Sequence, residues 1–445
     1  MHGASHGTAE VVTHRRVLAI ALPMTLAHLT TPLLGLANTA VVGRLGDAAL
    51  LGGVALGAVI FDMLFWMFGF LRMGTVGLVA QALGRRDAQE QCAVLLRALL
   101  FAGLCGLVMV LLQLPLLWLS LHLAGASPEV NAAVADYFHV RIFAAPFTLA
   151  NYVVLGWLTG LGRTGLALLV QAGMNALNMA LSAFLVLGLG MGVVGAGAGA
   201  LVAEAAGTVA GLFICARLLG FSLAVPRDVL LDKARLASTF MLNGDIMIRT
   251  AALMFTFAFF AGQGARAGDA TLAANGLLQN MGLLAVYFLD GFATAAEQIC
   301  GSAAGARRRA PFMRGIRLII LWGFGCALLA FVLFMLAGPW VIDLMTTSAE
   351  VRVEASNFLL YAALLPLAGV LAFVLDGVFI GALWSRDMRN MMLAAVAIYL
   401  LLWWSLRAWE NHGLWLAMLG LFLARGGLLA LRLPVLARRT FTSPE

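Results

Sequence analysis

What constrains this chain most is a succession of long apolar runs. Crossing a bilayer as an α-helix takes roughly 20 predominantly apolar residues. Twelve segments meet that requirement, at 17–42, 49–80, 92–121, 134–161, 165–189, 193–218, 236–262, 271–301, 312–345, 355–383, 388–407 and 413–432. They are separated by short breaks of glycine, proline or charge. Of the 445 residues, 62% are hydrophobic and 11% charged, against about 45–50% and about 25% in a soluble domain. An aqueous fold has nowhere to hide that surplus, so the solvent is lipid. Lipid-facing backbone must satisfy its own hydrogen bonds, which predicts an all-α integral membrane protein. The 49 glycines suit close helix contacts. Residues 1–16 are polar and run directly into the first apolar stretch behind Arg15 and Arg16. With no small-residue cleavage site, this reads as a retained first helix rather than a signal peptide. Five cysteines lie scattered without paired spacing and read as free thiols.

The net charge of +7 implies no nucleic-acid partner, because its placement follows the membrane. The even-numbered loops and the termini hold 19 of the 28 basic residues, including Arg85, Arg86, Arg163, Arg217, Arg227, Lys233, Arg235, Arg307, Arg308, Arg309, Arg314, Arg317, Arg386, Arg389, Arg432, Arg438 and Arg439. The odd side holds Arg44, Arg141, Arg266, Arg352 and Arg407, and Arg72, Arg97, Arg249 and Arg425 fall within spans. Basic residues are retained on the cytoplasmic side, so both termini are expected inside, in a multi-pass protein of the inner (plasma) membrane.

The chain also repeats itself at a spacing of about 220 residues. Gly46-Asp47-Ala48-Ala49-Leu50 echoes Gly268-Asp269-Ala270-Thr271-Leu272, and Ser127-Pro128-Glu129-Val130 echoes Ser348-Ala349-Glu350-Val351. Pro146 echoes Pro366, and Gly84-Arg85-Arg86 echoes Gly305-Ala306-Arg307. Six helices per half, both starting inside, gives parallel repeats of the kind transporters use. The expected organisation is an N-terminal lobe (1–220), a cytoplasmic linker (221–235) and a C-terminal lobe (236–445).

With helices and repeat in place, the sequence resembles the multidrug and toxic compound extrusion (MATE) family of the MOP superfamily, in its DinF-type branch. The residues that carry the resemblance are Leu22-Pro23-Met24, Pro32-Leu33-Leu34-Gly35-Leu36 and Thr39-Ala40-Val41-Val42-Gly43. They continue with Phe70-Leu71-Arg72-Met73, Ala80-Gln81-Ala82-Leu83-Gly84 and Leu155-Gly156-Trp157-Leu158. The second half adds Asn243, Asp245-Ile246-Met247 with Arg249, Leu289-Asp290-Gly291-Phe292-Ala293 and Leu375-Asp376-Gly377-Val378-Phe379-Ile380-Gly381-Ala382. The resemblance implies two six-helix lobes related by internal pseudo-two-fold symmetry. It also implies alternating access and cation-driven (H+ or Na+) antiport of bulky, cationic, amphipathic organic compounds. Apart from the coupling ion no cofactor is expected, and the expected form is a monomer in the lipid bilayer. Two departures stand out. Asn38 occupies the place of the family's acid late in the first helix, and Ser182, after Asn175 and Asn178, stands where the DinF-type branch often carries a second.

Ionisable groups at mid-bilayer depth are costly and therefore candidates for function. Asp290 and Asp376 lie near the middle of the eighth and tenth helices, and Glu297 follows Asp290 by two turns on the same face. Asp290 is the first candidate for cation or proton binding and Asp376 the second; a packing hydrogen bond or fixed ion pair is the alternative for each. Asp62, in the second helix, offers a replacement for the charge absent at position 38. Asp245 and Arg249 stand four apart, at ion-pair spacing. Glu204, in the sixth helix, has Arg72 or Arg97 as conceivable partners. Asn38, Ser182, Asn178 and His28 are polar cavity candidates. Met24, Met63, Phe65, Met67, Met254, Phe257, Met281, Tyr287 and Phe292 supply adaptable apolar walls, or ordinary packing. Rival functions remain. A lipid-linked oligosaccharide or lipid flippase of the same superfamily calls for more buried arginines than the four found in spans. A polytopic membrane enzyme calls for a ligand cluster or a nucleophile with its base, and no HExxH or Gly-x-Ser-x-Gly is present.

Overall fold

The computed structural model describes residues 11–221 and 225–442, and every regular element among them is helical. In chain order the α-helices are α1 (His14–Gly43), α2 (Ala48–Trp66), α3 (Phe70–Gly84), α4 (Ala88–Leu111), α5 (Gln113–Ala124), α6 (Pro128–Arg141), α7 (Ala145–Gly160), α8 (Thr164–Ala183) and α9 (Gly192–Leu218). There follow α10 (Arg227–Leu230), α11 (Lys233–Ala267), α12 (Asp269–Gly305), α13 (Arg309–Met345), α14 (Ala349–Gly381), α15 (Ser385–Leu406) and α16 (Glu410–Thr442). Several form pairs that share one crossing: α2 with α3, and α6 with α7 through a 3-10 turn at Ile142–Ala144. Among the described residues, eleven continuous stretches are long and apolar enough to cross a membrane. The longest, Ser385–Thr442 with 58 residues, breaks at Arg407–Trp409 and at Glu410, whose φ is +50°. It therefore supplies two crossings, α15 and α16, and the total is twelve.

The sequence repeat reappears as repeated local chemistry. Ser127 accepts from the amide of Val130 at the start of α6, and Ser348 accepts from the amide of Val351 at the start of α14. Each hydroxyl satisfies one of the donors a helix start leaves open. Helix ends repeat as well. Arg86 and Arg307 both take φ near +55°, and Gly162 and Leu383 both take left-handed backbone, each pair 221 positions apart. Leu383 has no glycine's freedom there, so the closing hydrogen bond from Trp384 N–H to the Phe379 carbonyl (2.8 Å) holds the turn.

By contacts the chain divides into two compact units that differ from the sequence halves. Among the described residues, one comprises 11–25, 80–86 and 252–442; the other comprises 26–79, 87–221 and 225–251. In the first, α12 packs on α14 so closely that no Cβ would fit at Gly377, where the Ala293 carbonyl stands 2.1 Å from that position. Its apolar core gathers Phe260, Met281, Phe358, Tyr399, Trp415 and Phe422. Phe260 meets Trp415 edge-on at 5.0 Å. The core of the second is built where α2, α6, α7 and α9 meet. Phe61 packs on Phe138 at 4.9 Å, and the fully buried Trp157 donates to the Gln91 carbonyl at 2.8 Å.

Candidate functional site

Within the second unit a chain of polar groups crosses an otherwise apolar interior. Arg141 closes α6, 14 residues from its start, which places it about 20 Å along the helix. Glu204 lies about 18 Å into α9 by the same rise. The Arg141 guanidinium donates to Glu204 Oε1 at 3.3 Å. Glu204 Oε2 accepts from Asn151 Nδ2 of α7 at 2.9 Å, and Thr208 donates to Asn151 Oδ1 at 3.2 Å. The guanidinium also sits over the rings of Phe61 and Phe65, at 5.6 and 5.3 Å from their centroids. Asp62 stands between those two phenylalanines in sequence, exposed on the unit's surface and within electrostatic reach of Arg141. Tyr137 adjoins Arg141 one turn earlier, and the half-buried Tyr152 lies within electrostatic reach of Glu204, Arg72, Asp62 and Arg141. Arg72 in turn contacts His28 at 3.3 Å. Asp62 and Glu204 thus share one nearby guanidinium, Arg141, with a second, Arg72, further along.

The first unit holds a related pair of inverted sign. Asp376 of α14 bonds to Arg425 of α16, both buried, and the guanidinium lies 5.9 Å from the Phe373 ring. Arg425 follows Glu204 by 221 positions, the offset of the helix caps. The equivalent point therefore carries an acid in one half and a base in the other, each matched by an opposite charge on the crossing two before it. Asp290, on α12, is half-buried, whereas Glu297 two turns on is buried. The Glu297 carbonyl stands 2.4 Å from where a Gly381 Cβ would lie, so its turn is pressed against α14.

The other expected residues fall as follows. Asp245 and Arg249 are both buried on α11 and belong to the second unit, while Asp290 belongs to the first. Ser182 donates to Asn178 Oδ1 at 3.1 Å on α8, and both are buried. Asn175 donates to Thr30 of α1 at 2.7 Å. Asn38 Oδ1 is buried and has no hydrogen bond among the described residues. Met24, Phe65, Met281 and Phe292 are buried in packing; Met63, Met67, Met254, Phe257 and Tyr287 keep accessible surface.

One sequence expectation is corrected: Glu204 pairs with Arg141 rather than Arg72 or Arg97. Arg141 had been placed among the outer-side charges, but its helix begins at Pro128, earlier than the apolar run suggested. The extra turns carry it to the depth of Glu204. Arg97 instead holds both oxygens of Glu90 at 2.8 Å, and Arg235 reaches Glu90 from α11. Neither Asn151 nor Glu90 stands out in the sequence, since Asn151 is one polar residue in a long apolar context and Glu90 is one of several in the polar stretch 85–91. Among the described residues no group of three or more His, Cys, Asp or Glu is placed to hold a metal.

Twelve crossings among the described residues, with an internal duplication and an ion pair inside each unit, define a multi-pass membrane protein. A sequence profile described as MatE matches residues 23–184 and 246–404, one stretch in each half. The chain is 38% identical over 419 residues to DNA damage-inducible protein F of Escherichia coli (strain K12), covering 92% of this chain and 89% of that protein. It is 25% identical to the probable multidrug resistance protein NorM of Agrobacterium fabrum, over 96% of this chain and 94% of that one. A solved structure described as the outward-facing conformation of a multidrug resistance MATE family transporter of the MOP superfamily superposes with a TM-score of 0.83 at 18% identity, covering 97% of both chains. The chain belongs to the MatE family.

Proposed function

We propose that this protein is a secondary active antiporter that expels bulky, cationic, amphipathic organic compounds, driven by inward movement of H+ or Na+. The supporting observation is that Arg141 is bonded to Glu204 while Asp62 lies within electrostatic reach of the same guanidinium. Glu204 is already engaged by Arg141 and Asn151, which leaves Asp62 as the carboxylate most open to exchange its counter-charge. A proton suits that place better than a metal ion, because it needs no vacant coordination shell beside a fixed guanidinium. Asp290, half-buried on α12, is the second coupling candidate and Glu297 the third. Asp376 comes last, since Arg425 already supplies its counter-charge. The polar groups Asn38, Asn178, Ser182 and His28 and the accessible apolar residues Met63, Met67, Met254, Phe257 and Tyr287 serve substrate contact, with Asp245 and Arg249 as a structural pair. The carrier works as a monomer, needs no cofactor beyond the coupling ion, and lies in the plasma membrane with both termini cytoplasmic.

The test uses proteoliposomes loaded with a fluorescent organic cation, with a proton or a sodium gradient imposed separately. A proton gradient is expected to drive movement, and Asp62→Asn to abolish the gradient dependence. Failure of both gradients removes the antiport reading. Wild-type rates in Asp62→Asn move the coupling to Asp290, which Asp290→Asn then tests.

A further inference from the structure

The positive-inside bias accounts for an excess of arginine on one side of the membrane but not for its division between the two units. Of the nineteen basic residues in even loops and termini, fourteen belong to the unit containing 252–445, where Asp387 is the one described acid at those helix ends. The other unit holds five, against four acids: Asp87, Glu90, Asp228 and Asp232. Those fourteen converge on one end of their unit. Phe441 of α16 meets Phe312 of α13 edge-on at 5.1 Å, Trp384 donates to Thr440 at 3.2 Å, and Trp322 of α13 donates to His14 of α1 at 3.1 Å.

Within this basic end α13 has a distinctive face. Arg314 and Arg317 are one turn apart, exposed, and without a hydrogen bond or ion pair among the described residues. Below them, at the same helical spacing, come Leu321, Phe324 and Leu328, which are 61%, 39% and 54% exposed. Only 17% of α13's apolar window is buried, against 28% or more in every other crossing. From Arg314 to Leu328 is about 21 Å, a length an extended acyl chain can follow. Two bidentate donors stand above a continuous apolar track, with the His14–Trp322 pair at headgroup level beside it.

We infer that this face of α13 is a binding site for an anionic phospholipid, the phosphate held by Arg314 and Arg317 and one acyl chain lying along Leu321, Phe324 and Leu328. A free phosphate would gain nothing from the apolar track. The leaflet concerned follows from the orientation proposed above; the binding itself does not depend on it or on transport.

Native mass spectrometry of the purified full chain, released from micelles doped with phosphatidylglycerol, phosphatidylcholine or inorganic phosphate, separates the possibilities. The wild type is expected to retain phosphatidylglycerol in preference to phosphatidylcholine, and to retain no phosphate. Arg314→Gln/Arg317→Gln is expected to lose about 30-fold in apparent affinity, taking roughly fivefold per arginine near a charged membrane surface. Arg217→Gln/Arg227→Gln, which removes equal charge from the other unit, is expected to match the wild type. Equal retention of the two lipids by the wild type overturns the inference, and that arm needs no variant to fold. Undiminished retention in the α13 variant, or an equal loss in the control variant, also overturns it.

Discussion

A guanidinium placed about 20 Å along a membrane helix has no water shell to fall back on, and Arg141 meets that demand with Glu204 and two aromatic faces. Removing one partner of such a buried pair leaves an uncompensated charge and costs about 3–5 kcal/mol, while removing both together can be nearly neutral. Arg141→Met is therefore expected to lower thermal stability sharply, and Arg141→Met/Glu204→Gln to recover most of the loss. Differential scanning fluorimetry of the single and double variants decides it, since additive losses would mean the two residues do not act as a pair. A milder effect belongs to Asp232. Its carboxylate accepts from the backbone amides of Arg235 and Ala234, at 3.1 and 2.8 Å, which holds its pKa below the ordinary 3.8, the Arg235 bond contributing most. A depressed pKa means the cap contributes above pH 3.8 and is lost as pH falls through the lowered value. At neutral pH, Asp232→Ala is expected to speed hydrogen exchange of the first turn of α11. Unchanged exchange there would show that the cap contributes nothing.

Helices, as elements, were largely legible before any coordinates. The apolar runs located the crossings, and the motif echoes anticipated caps such as Ser127 and Ser348. Helix starts were less visible, because the first turns of α6 are polar and lie beyond the apolar run. That hides the partnership of Arg141 with Glu204 in the sequence, where Asp62 stands out only as a replacement for the charge absent at position 38. Contact between helices was less legible still, because glycine spacing says where backbones can approach and not which ones do. On α12 and α14 the answer is Gly377, with the Ala293 carbonyl 2.1 Å from its missing Cβ. Gly377→Ala is expected to push the two helices apart and destabilise the protein. By contrast Gly276→Ala, on the same helix pair's open side with nothing within 4 Å, gains helix propensity of up to about 1 kcal/mol. Equal melting temperatures for the two variants would contradict this packing.

At the scale of the whole molecule, the distribution of charge sets the orientation expected in the membrane. Nineteen basic residues on one side and five on the other make a strong bias. With Arg141 held by Glu204 inside its unit, the outer count falls to four, and the asymmetry sharpens rather than weakens. Orientation can be read by single-cysteine labelling, because the native thiols interfere little: Cys92, Cys215 and Cys300 are buried, and Cys105 and Cys326 are half-buried within spans. Glu129→Cys and Glu350→Cys lie at repeat-related starts of α6 and α14, so both are expected to react with a membrane-impermeant maleimide added to intact cells. Arg308→Cys and Arg438→Cys are expected to react only after the membrane is opened. A swapped pattern would invert the protein in the membrane. A mixed pattern, with position 129 outside and 350 inside, would break the parallel relation of the two halves, because the six crossings between these residues return the chain to the side it left.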